Sequence, residues 1–140
     1  SLEEFIESNY YAGNQLTRVL WHGYGLEIPT ENQLHLAQEI LRTKFVIGLH
    51  DNLAESINLF EDYFFWEKGH DPETDLCKRE QQKIENQREL DMYREVGDVG
   101  STVYDRIVER NSLDLQLYWY AVDLHKAQRA LIPSREGAKN

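Results

Sequence analysis

Residues 45–60 read FVIGLHDNLAESINLF, and the change of hydrophobic period inside this stretch decides the fold class. Phe45, Val46, Ile47, Gly48 and Leu49 form an unbroken apolar run, rich in β-branched side chains and closed by the polar pair His50 and Asp51. That is the pattern of one buried strand. From Asn52 the period lengthens: Leu53, Ile57, Phe60 and Phe64 recur at helical spacing, with Glu55 three residues after Asn52 to open the helix, which runs to about Trp66. A strand followed directly by a helix is half of an α/β unit. A single strand leaves its N–H and C=O groups unpaired, so the expectation is a larger parallel sheet whose other strands lie upstream.

Working outward, Thr30 caps a helix whose stripe is Leu34, Ala37 and Leu41 with Leu36 and Ile40, ending near Thr43. Before it, Gly13, Gly23, Gly25 and Pro29 punctuate residues 10–30, where Leu16, Val19, Leu20 and Trp21 predict a short helix between loops. Ser1 and Glu4 have capping-box spacing ahead of a first helix ending near Asn9. After the central helix, Gly69, Asp71 and Pro72 break the chain, and residues 67–100 read as a variable polar loop or surface helix. Val103 and Ile107 then start a short helix; Leu113, Leu117, Tyr120, Leu124 and Leu131 mark a long final one, and residues 133–140 a frayed tail.

The whole chain has 140 residues, enough for one domain. It opens on Ser1 and runs straight into an amphipathic segment, which raises the expectation of a fragment. A net charge of −10 without a long Lys/Arg run disfavours nucleic acid and anionic membrane surfaces as partners. Its apolar runs fall well short of the roughly 20 residues that span a bilayer, and no signal-peptide pattern opens it. Cys77, the lone cysteine, has no His or basic cluster arranged to activate it.

Three blocks carry a likeness. FVIGLHDNLAESINLF at 45–60 resembles the segment near the C-terminal end of carbohydrate sulfotransferases, where an apolar strand, Gly-Leu or Gly-Val and Thr-Glu precede a helix. IVERNSLDLQLYWYA at 107–121 is similar to the family's closing Ile, Asn, Leu-Asp, Leu-Tyr, Tyr-Ala helix, and NQLTRVLWHG at 14–23 to its earlier Asn, Arg, Leu, Gly segment. The blocks stand in the family's order, nearest in pattern to the heparan sulfate 2-O-sulfotransferase branch. His50 and Asp51 depart from Thr-Glu.

The resemblance implies an α/β fragment, mostly α-helical: residues 1–132 are the C-terminal part of a single sulfotransferase domain, with the buried strand in the parallel sheet of a P-loop-like fold. It implies sulfuryl transfer from 3′-phosphoadenylyl sulfate, as co-substrate, to a carbohydrate acceptor. The donor loop, catalytic base and 3′-phosphate ligands then lie upstream, in the missing N-terminal half of the same domain, and this segment alone is inactive. Relatives work in the Golgi lumen behind a membrane anchor, which would lie outside this segment; a cytoplasmic relative is the alternative. The family closes the loop after the strand and helix over donor and acceptor. Its counterpart here contains Lys68, Lys78, Arg79, Lys83 and Arg88, of which Lys78 and Arg79 are the candidate donor contacts. Interleaved Glu and Asp give the competing interpretation of a solvated helix with intrahelical ion pairs.

No metal is expected. Glu67 and His70 have Glu-x-x-His spacing, but such sites need two copies on facing helices, and His22, His35, His50 and His125 lack ligand spacing. The aromatic clusters Phe60, Tyr63, Phe64, Phe65, Trp66 and Tyr118, Trp119, Tyr120 read first as core, although consecutive aromatics cannot all face inward on one helix. They supply the alternative function: a non-enzymatic, acidic helical module that binds a protein partner through an aromatic face.

Overall fold

The computed structural model describes residues 2–8, 11–21, 28–66 and 99–133. These fold into α1 (Leu2–Glu7), α2 (Gln15–Leu20), α3 (Glu31–Lys44), a 3-10 turn at His50–Asn52, α4 (Leu53–Phe64), α5 (Thr102–Arg110) and α6 (Ser112–Leu131). Local chemistry accounts for their starts. Thr30 and Gln33 form a reciprocal capping box ahead of α3, the Gln33 side chain accepting from the Thr30 N–H. Ser101 caps α5 by accepting from the Tyr104 N–H at 3.2 Å. Asn111 breaks α5 from α6: its backbone leaves the helical region (φ −111°, ψ 23°), while its Nδ2 donates back to the Ile107 carbonyl at 2.7 Å.

The strand expected over 45–49 is not formed; the described residues are mostly helical and contain no strand. The backbone is extended at Phe45 (φ −126°, ψ 144°) and Leu49 (φ −109°, ψ 128°), but side chains take the hydrogen bonds a neighbouring strand would make. The Ile47 N–H donates to Gln128 Oε1 at 2.9 Å, and its carbonyl accepts from His125 Nδ1 at 2.8 Å. The Leu49 N–H donates to Ser56 Oγ at 2.7 Å. Apolar continuity alone misjudged the segment, because only Ile47 of the run is buried and Phe45 stays 46% exposed. The parallel sheet inferred from it has no counterpart among the described residues.

The chain divides into two compact units, Ser1–Val46 with Val96–Leu124 and Ile47–Glu95 with His125–Asn140. In the first, α2 packs on α3 and α1 on α5. Leu34, Ala37 and Leu117 form its core, flanked by Leu20, Leu41 and Leu113. Burying Leu34 and Leu117 stabilises the fold by roughly 1.5–3 kcal/mol each. In the second, Leu59 is fully buried beside the polar groups Ser56, Asp62 and His125. Asp62, whose side chain is inaccessible, accepts from Arg129 at 2.8 Å. α4 ends on Phe65, held at φ 56°, with the Trp66 N–H bonded back to the Glu61 carbonyl.

The first helix ends at Glu7, two residues before the expected Asn9. The Ser1 cap, the block's His22 and Gly23, nearly all of the polar stretch, and the tail beyond Pro133 lie outside the described residues.

Candidate functional site

In the first unit, α2 and the start of α6 cap each other. The amides of the first helical turn have no partner within their own helix. Here each turn finds acceptors on the other helix. Asn14 Oδ1, just before α2, accepts from the N–H groups of Leu113 and Asp114 at 2.9 and 3.1 Å. The Asp114 carboxylate in return accepts from the N–H groups of Leu16 and Thr17 at 2.9 and 2.8 Å and from the Thr17 hydroxyl at 2.7 Å. Asn111 Oδ1 closes the exchange by accepting from the Asn14 N–H at 3.1 Å. Asn14 takes the left-handed conformation (φ 55°, ψ 44°), which Asn tolerates better than other side chains do, and it is buried at 6% exposure.

This joint forms one wall of an open cleft of about 1020 Å³. Its described lining comes from the end of α1, residues 11–14, Arg18 of α2, residues 28–31, α5 and the start of α6. Gly13 is required there: a Cβ at this position would stand 2.0 Å from the Arg110 carbonyl oxygen. Tyr11 forms part of the lining, its hydroxyl accepting from Asn111 Nδ2 at 2.6 Å and its ring edge-on to Phe5. Arg110 donates to the Tyr11 carbonyl at 3.2 Å and holds its guanidinium 5.9 Å from the ring centre. Arg106 lies between Glu7 at 3.6 Å and Glu109 at 3.5 Å, and Arg18 and Glu31 complete the charged lining. The Arg106 pairs are more than half exposed, so they order the rim without stabilising it much. A ligand entering the cleft meets guanidinium donors and carboxylate acceptors side by side.

Lys78 and Arg79 lie outside the described residues, as do Cys77, Glu67 and His70. Among the described residues, no group of three or more His, Cys, Asp or Glu could hold a metal ion, and no helix is long and apolar enough to cross a membrane. His125, read from sequence as scattered, is a buried donor to the Ile47 carbonyl. Sequence reasoning did not single out Asn14, Arg106, Arg110 or Asp114 as site residues. The available signal was polar residues inside otherwise apolar blocks, which becomes legible only once residues about a hundred positions apart are known to meet.

No protein-family model, no curated protein and no solved structure matches the chain.

Proposed function

We propose that the chain is the C-terminal part of a carbohydrate sulfotransferase, which moves a sulfuryl group from 3′-phosphoadenylyl sulfate to a sugar hydroxyl. One observation carries this proposal. Four of the residues on which the three blocks resemble the family hold structural joints: Asn14 from the first block, Gly48 from the second, Asn111 and Asp114 from the third. Asn14, Asn111 and Asp114 bind one another across two blocks. Gly48 has no room for a Cβ, which would meet the Phe60 ring at 2.6 Å. A chance likeness of apolar patterns would have no reason to coincide with long-range joints.

On this proposal residues 45–49, extended at Phe45 and Leu49, lie beside a parallel sheet supplied by the upstream half. Ile47 and Leu49 bond to side chains, whereas Gly48 is exposed and its backbone makes no hydrogen bond among the described residues. In an extended chain neighbouring residues point their backbone groups to opposite edges, so one edge is left for a strand. The donor loop and catalytic base belong to the upstream half, and the Golgi lumen is the compartment, with any membrane anchor outside this segment. Lys78 and Arg79 remain the proposed donor contacts.

The second function, an acidic protein-interaction module, has its own observation. Phe64 and Trp66 stack at 5.1 Å, and Phe65 beside them stands 75% exposed in a left-handed conformation unusual for a bulky residue. The coding sequence upstream of Ser1 separates the two. A strand followed by a phosphate-cradling loop supports the transferase; a start codon immediately before Ser1 removes it in favour of the module.

A further inference from the structure

The cleft beside the α2–α6 joint restricts what can occupy it. Among the described residues its charged lining is Arg18, Arg106 and Arg110 against Glu7, Glu31 and Glu109, three charges of each sign. A densely sulfated chain gains no net attraction there and meets three carboxylates, on a protein already at −10. An apolar ligand would strip water from six charges and return no hydrogen bonds. A polyol fits both signs: its hydroxyls donate to the carboxylates and accept from the guanidinium groups, while Tyr11 adds an aromatic surface.

We infer that this cleft binds an unsulfated, hydroxyl-rich oligosaccharide. The inference deepens the transferase proposal and rests on it for one point, that the bound sugar is the acceptor. The described lining lies on α1, α5 and the segments beside them.

Isothermal titration of the chain with chitotetraose, an unsulfated heparosan tetrasaccharide and a heparin tetrasaccharide tests it. The unsulfated sugars bind more tightly than heparin. The double variant Arg106→Gln, Glu109→Gln weakens their binding at least about tenfold, as expected for lost charge-assisted hydrogen bonds. Both side chains are more than half exposed, so the helical circular dichroism is retained. Glu39→Gln, outside the cleft, leaves binding unchanged. Tightest binding to heparin, no binding to unsulfated sugar by a helical chain, or binding indifferent to the double variant overturns the assignment.

In the intact transferase the double variant raises the acceptor KM and leaves the donor KM alone. Transfer with an unchanged acceptor KM overturns the cleft and leaves the transferase standing. Sugar binding without transfer keeps the cleft and overturns the transferase.

Discussion

Asp114 is the residue on which the first unit turns, because one carboxylate accepts from two backbone amides and a hydroxyl of α2. Asp114→Ala leaves those donors without acceptors and is expected to cost about 3 kcal/mol in urea unfolding, more than a single helix cap. A loss under 0.5 kcal/mol, the size of an ordinary surface change, would mean that water replaces the carboxylate. Glu39 behaves differently. The bidentate hydrogen bond from Arg42 holds its carboxyl below the ordinary carboxylate range, and the Arg42 charge acts in the same direction. A lowered acid stabilises the folded chain above its ordinary titration range, and that contribution is lost as the pH falls through the lowered value. Carboxyl-carbon NMR titration is expected to place the Glu39 midpoint below the ordinary range and to return it there in Arg42→Gln. An unmoved midpoint contradicts the pairing.

At the scale of elements, the segment 45–49 separates what the sequence could reveal from what it could not. The β-branched run read as a strand, of which the structure keeps extended backbone at Phe45 and Leu49, while α3, α4 and α6 were legible in their apolar stripes. Whether a strand or a set of side chains would satisfy its backbone was not, because Gln128 and His125 lie about eighty residues away and hydrophobic periodicity carries no record of such contacts. His125→Ala should cost about 2 kcal/mol by orphaning the Ile47 carbonyl, and His125→Asn, which keeps a donor, should recover part of it. Equal losses in both would show that packing of the ring matters more than its hydrogen bond. Gly48→Ala should cost about 2 kcal/mol through overpacking against Phe60, with relief in the double variant Gly48→Ala, Phe60→Leu. No relief would locate the strain in the backbone instead. The cleft was less legible than the helices: its lining comes from separate segments, and only the resemblance of blocks 14–23 and 107–121 marked two of them.

For the whole molecule, the acidic balance and the three blocks lead to one proposal: a domain that brings a lightly charged sugar to chemistry carried upstream. The charge of −10 excludes no sugar by itself, but it favours acceptors that are not already densely sulfated. Transfer of radiolabelled sulfuryl from 3′-phosphoadenylyl sulfate to unsulfated oligosaccharides, by the intact protein containing this chain, is the most direct measurement. Labelled sugar is expected, abolished when the upstream phosphate-cradling loop is mutated and absent with the 140-residue chain alone. An intact, folded protein that neither labels any sugar nor binds 3′-phosphoadenosine 5′-phosphate would contradict it.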